Sequence, residues 1–243
     1  MSRFARMSLV AAWICVATPA LAAPVVSPPG LHSGDQYRLA FVTSTTRTAF
    51  TGDAAAYNST VTARANSVAQ LAALGTTWKA IVSTAGLGGE NPVPAVAAWD
   101  NTATNPSVST GVPVYDLAGH LLAVNNADIW DENGMLRAIQ YVENGTSGAN
   151  DIGLVWTGVD APFSSAQAHP LGGSTAWVGI NVMGGDTWWA SYNSSESFSN
   201  QHAIYGISGI LTAVPEPSTC LLAGGGLLAL LLTARRRLVR SPN

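Results

Sequence analysis

The chain has 243 residues, 47% of them hydrophobic and 10% charged, with two cysteines and a formal net charge of −3 at pH 7. That average hides an asymmetry: six of the 11 basic residues (Arg3, Arg6, Arg235, Arg236, Arg237, Arg240) and one of the 14 acids (Glu216) lie near the ends, so residues 23–213 hold five basic and 13 acidic residues, a net charge of −8. So acidic a middle excludes nucleic acid and anionic lipid as partners and suits divalent cations or neutral glycans.

At the N-terminus, Arg3 and Arg6 precede an apolar stretch from Met7 to Ala17, and Ala20-Leu21-Ala22 has the small-x-small pattern of a signal-peptidase site. Residues 1–22 therefore read as a signal peptide, removed by signal peptidase during export. Cys15 falls inside it and Cys220 near the other end, so the exported domain has no cysteine and no disulfide. Residues 23–30, Ala-Pro-Val-Val-Ser-Pro-Pro-Gly, read as a Pro-rich spacer, and the domain proper is expected over 31–213.

Tyr37 to Thr43 alternates large apolar residues and predicts a strand. From Asp53 to Leu74, the positions Tyr57, Val61, Ala65, Val68, Leu71 and Ala72 recur at helical spacing, with Thr51 or Asp53 as cap and Gly75 as stop. Trp78 to Ser83 predicts a second strand. Short apolar pieces follow at Val112–Tyr115, His120–Val124, Leu154–Thr157, Ala176–Ile180 and Ala203–Leu211, separated by turn residues. The predicted class is α+β, a single domain with one early helix and mostly antiparallel strands. Long polar connections at 91–111 and 163–175 are of the kind that carry function or hold a ligand.

The strand-helix-strand opening, Trp156-Thr157-Gly158, Trp177-Val178-Gly179-Ile180 and the closing strand Ala203 to Ser208 together resemble a C-type-lectin-like domain. That family's cysteine pairs and its Glu-Pro-Asn and Trp-Asn-Asp sugar motifs are missing, so no sugar-ligating residue carries over.

His32, His120, His169 and His202 are scattered, without a Gly-x-Ser-x-Gly elbow or a His-Glu-x-x-His pair, and no catalytic residue is assigned. A secreted hydrolase with an active site assembled by the fold is the alternative reading, because a triad is defined by geometry and not by order. The densest acidic stretch, with Asp128, Asp131, Glu132 and Asn133, is a candidate calcium site or a solvated turn. Seven tryptophans follow the signal peptide, and most should be core. Trp188 and Trp189 are adjacent, so on a strand one indole would face outward beside Tyr192 and Asn193 as a candidate carbohydrate patch, with core packing of both as the other reading.

The C-terminal segment 214–243 begins Val214-Pro215-Glu216-Pro217, continues as an apolar run over 218–234 interrupted by Gly224-Gly225-Gly226, and ends with Arg235-Arg236-Arg237. As a helix, the run of 17 residues would span about 25 Å, short for a hydrocarbon core of about 30 Å, which suits a temporary transmembrane anchor in the inner membrane. The arginines hold the end in the cytoplasm and place what precedes Pro215 outside. These three parts resemble the PEP-CTERM sorting signal, recognised by exosortases of Gram-negative bacteria that secrete extracellular polysaccharide. The resemblance implies cleavage near Pro-Glu-Pro and a surface or matrix destination, linked to exopolysaccharide or biofilm.

Overall fold

The computed structural model describes residues 23–88, 92–147, 153–160, 163, 168–182, 187–192 and 194–214. Among these residues, nine strands form one mixed sheet: β1 (Gln36–Val42), β2 (Trp78–Ala80), β3 (Val114–Asp116), β4 (Leu121–Ala123), β5 (Leu154–Trp156), β6 (Thr175–Ile180), β7 (Ser195–Ser197), β8 (Ala203–Ser208) and β9 (Leu211–Thr212). The order is β4-β3-β1-β8-β5-β6-β7, with β2 also on β8 and β9 also on β1. With the short helices α1 (Ala54–Asn66), α2 (Ala69–Ala72), α3 (Ala98–Asn101) and α4 (Asn126–Trp130), the domain is α+β. Most pairings are antiparallel, but β1 with β3 and β5 with β8 are parallel.

The period of two in β1 divides the interior. Tyr37, Leu39 and Phe41 point into a core under α1, shared with Tyr57, Val61, Trp78, Trp156 and Ile204. Ala40 and Val42 point the other way, into a second core with Ile129, Trp130, Met135, Trp189, Tyr205 and Ile207. The strand is thus buried on both faces, as a central strand between β3 and β8 must be. Gly206 on β8 lets α1 approach, since a β-carbon there would lie 2.4 Å from Val61 Cγ1 and 3.0 Å from Phe41.

The single helix expected over 53–74 is divided. Asp53 caps it as predicted, its Oδ1 accepting from Ala55 N at 2.8 Å. The first helix stops at Ser67, whose hydroxyl donates to Arg64 O at 2.7 Å, and Val68 is extended (φ −110°, ψ 117°) before α2 resumes. A side chain that satisfies a terminal carbonyl, followed by a β-branched residue, makes this break inexpensive while Leu71 still reaches the core. Gly75 then takes a left-handed conformation, φ +58°.

The Pro-rich segment expected to be a spacer is packed onto the domain. Val25 N donates to Leu117 O at 2.7 Å, and Tyr37 Oη donates to Val26 O at 2.7 Å. Val26 and Leu31 pack against the α1-side core.

Buried charge ties distant parts together. Arg38, 7% exposed, donates to the carbonyls of Thr102, Ala103 and Ser208, pinning the long 91–111 connection to β8; burial lowers its pKa. Glu143, 2% exposed, accepts from Ser44 N at 2.8 Å, Ser44 Oγ at 2.5 Å and Arg64 Nε at 2.8 Å, and forms an ion pair with Arg64 Nη2.

Candidate functional site

The expected strand through Trp188 and Trp189 is a 3-10 turn over Thr187–Trp189. It lies against β6 because residue 179 is glycine: a β-carbon there would come within 1.9 Å of Trp189 O. Tyr192 N donates to Val178 O at 2.8 Å, and Thr157 Oγ1 donates to Ala190 O at 2.5 Å, clamping the segment to the sheet. The two indoles diverge, one in and one out, but by the geometry of a turn and not of a pleat. Trp189 is 0% exposed, with ring centroids 5.5 Å from Trp130 and 6.0 Å from Tyr205, so it belongs to the second core and offers no face to a ligand. Trp188 and Tyr192 are each 37% exposed and meet edge to face, centroids 5.6 Å apart. Asn193 lies outside the described residues.

The acidic stretch is occupied by backbone capping. Asp128 Oδ2 accepts from Val124 N at 2.7 Å, while its own N–H donates to the cap residue Asn125 of α4 at 3.0 Å. Asp131 Oδ1 accepts from Asn133 N at 2.9 Å in a local turn, and Glu132 and Asn133 are exposed. Among the described residues, no group of three or more His, Cys, Asp or Glu side chains converges as a metal site would require. The solvated-turn reading of Asp128, Asp131, Glu132 and Asn133 fits these contacts.

The four histidines sit in four different surroundings. His32 is exposed beside Asp35. His169 Nδ1 lies 3.0 Å from Thr175 Oγ1. His202 packs edge-on against Trp156 at 4.6 Å, its Nε2 without a partner. His120 is held by the buried Asp116, Nδ1 to Oδ2 2.9 Å, at a cavity of about 240 Å³. Sequence reasoning missed this last pair; its only trace was Asp-x-x-x-His across a glycine turn.

His202 gives a pH prediction. Desolvation lowers its pKa from the ordinary 6.5, and Glu196 partly offsets that. The unfolded chain therefore binds a proton more readily, so the neutral ring contributes stability above about pH 6.5 that is lost as pH falls through the lowered folded value. The thermal midpoint should drop between pH 7.5 and 5.5, and His202→Gln should flatten that slope; an identical slope in both proteins would remove His202 as its origin.

Among the described residues, no helix is long and apolar enough to cross a membrane. The expected membrane helix over 218–234, the residues Pro215, Glu216, Pro217, Arg235, Arg236 and Arg237, and the signal peptide 1–22 all lie outside them. The described residues end at Val214, exposed on the rim of a groove of about 510 Å³ that it shares with Val26, Tyr37, Leu74 and Ile210. A comparison with curated proteins found no match. A family model does match residues 213–237, from the last described residues through Pro-Glu-Pro and the apolar run to the three arginines: the PEP-CTERM protein-sorting motif. The chain is thus an exosortase substrate, exported and sorted through its C-terminal PEP-CTERM motif.

Proposed function

We propose that the sorted domain is a non-catalytic glycan-binding or adhesion module of the extracellular polysaccharide or biofilm matrix. Signal peptidase removes residues 1–22, the inner membrane holds the apolar run 218–234 transiently, and exosortase cuts near Pro215-Glu216-Pro217 to deliver the domain to the surface. The observation that carries the binding role is the exposed Trp188–Tyr192 pair. Sugar rings present a C–H face whose burial against an indole is favourable, and Asn193, next to Tyr192 in the sequence, carries an amide of the kind that pairs with sugar hydroxyls. The C-type-lectin-like likeness is supported by the β1-α1-β2 opening, Trp177-Val178-Gly179 on β6, and β8 as the closing strand beside β1.

The exported protein should bind extracellular polysaccharide of its own cells without degrading it, and Trp188→Ala with Tyr192→Ala should weaken that binding at least tenfold. Unaltered binding by the double variant would sink the aromatic site. Loss of exosortase should leave the tail uncut; an unchanged intact mass and location would sink the sorting step. The Asp116–His120 contact is the one observation that favours a hydrolase instead, and polysaccharide breakdown abolished by His120→Gln would establish that reading.

A further inference from the structure

The turn between β3 and β4 builds a second polar site, remote in sequence from the aromatic pair. Asp116 ends β3 and is buried; its Oδ1 accepts from Ala118 N at 2.9 Å and His120 N at 2.8 Å, while Oδ2 lies 2.9 Å from His120 Nδ1. One carboxylate thus closes the turn and fixes the imidazole through a single nitrogen, which leaves Nε2 for a ligand. His120 lines the cavity of about 240 Å³ together with Arg137, Gln140 and Tyr141, the Tyr141 ring tilted 46° against the imidazole with centroids 5.7 Å apart.

Charge singles out this place. Of the five basic residues in the domain, Arg38 donates to buried carbonyls, Arg47 lies over the Tyr57 ring and donates to Ala56 O, and Arg64 pairs with Glu143. Among the described residues, the side chains of Arg137 and Lys79 make no hydrogen bond or ion pair, and Arg137 is exposed at the cavity. On a domain with a net charge of −8, a guanidinium without a protein partner beside an oriented imidazole is a place where an anion can be held. A guanidinium fork fits a carboxylate with two parallel bonds. The Gln140 amide and Tyr141 phenol can both donate and accept, which is what hydroxyl groups need. The cavity is below the roughly 300–1,000 Å³ of drug-sized pockets, so it has room for a single small ring.

We propose that this cavity binds a hydroxylated carboxylate of one-ring size, with Arg137 on the carboxylate and His120, Gln140 and Tyr141 on the hydroxyls. Asp116 is a positioning residue that acts through His120. A uronate unit of a polysaccharide and a free small hydroxy acid share this chemistry. The site does not rest on the Trp188–Tyr192 reading.

The test is calorimetric titration of the exported protein with methyl glucuronide, methyl glucoside, a uronate tetrasaccharide and glycerate. Methyl glucuronide should bind at least tenfold more tightly than methyl glucoside, and Arg137→Gln should remove that preference without shifting the thermal midpoint. Trp188→Ala should leave it unchanged, so that failure of the aromatic patch and failure of this cavity are read separately. Tighter binding of the tetrasaccharide than of glycerate would identify a polymer as the source, and the reverse a free acid; either supports the proposal. Equal affinity for glucuronide and glucoside, no binding of any carboxylate, or full binding by Arg137→Gln would overturn it.

Discussion

Trp189→Ala should destabilise the domain by about 3–5 kcal/mol, whereas Trp188→Ala, one residue away, should change stability by no more than about 0.5 kcal/mol. Trp189 is fully buried, and its removal would leave a cavity bounded by Trp130, Phe163 and Tyr205. Trp188 is 37% exposed and meets Tyr192 edge to face at the surface. Urea denaturation of the three proteins checks this, with the midpoint falling for Trp189→Ala at an unchanged slope. Comparable losses from both variants would mean that the 3-10 turn does not hold one ring in and one out. Because Gly179 and the clamps from Thr157 and Val178 hold that turn through its backbone, Trp189→Ala should keep glycan binding by Trp188 wherever the variant is still folded, which supplies a second readout.

The Arg64–Glu143–Ser44 cluster should show a non-additive pattern. Glu143 is buried while Arg64 is about one-third exposed, so Arg64→Met leaves a buried carboxylate with only the Ser44 donors, and should cost about 3–5 kcal/mol. Glu143→Leu leaves a guanidinium that can turn to water, and should cost less. The double variant Arg64→Met with Glu143→Leu should be more stable than Arg64→Met alone, since an apolar pair of similar volume carries no desolvation penalty. A double variant as unstable as the sum of the singles would show that the cluster acts through packing and not through charge. The residues are 79 positions apart, joining the last turn of α1 to the segment after α4, so the same measurement reports whether these two regions unfold together.

What the sequence revealed follows from how far each feature reaches along the chain. The strand positions at Tyr37, Trp78, Leu154, Ala176 and Ala203 were legible because a period of two is local, and Asp53 was legible because capping is. The parallel pairing of β1 with β3 was not, since it depends on where a connection of more than 70 residues returns. The break at Ser67–Val68 was hidden by a periodicity that continues through it: Val68 and Leu71 still face inward, but on a second short helix. The Trp188 and Trp189 side chains were expected to diverge across a strand, whereas the element that holds them is a turn against Gly179. The acidic residues Asp128 and Asp131 read as calcium ligands or as a solvated turn, because composition cannot reveal which backbone N–H groups they accept from. The Asp116–His120 contact was invisible for the opposite reason, being two common residues that only the turn at Gly119 turns into a pair.

The strand β9 is two residues long and lies beside the start of β1, with Thr212 opposite Gln36 and Leu211 opposite Tyr37. It is also the last paired element before Val214, so any mechanical load applied through the tail enters the fold there. Such a load would peel this short strand first. It would then reach β8, which is hydrogen-bonded to β1 on one edge and to β2 and β5 on the other. The fold thus has a two-residue strand at its tether and a strand with three partners immediately behind: loss of β9 takes Leu211 and Ala213 out of the α1-side core, while the core on the other face of β1 keeps all its residues.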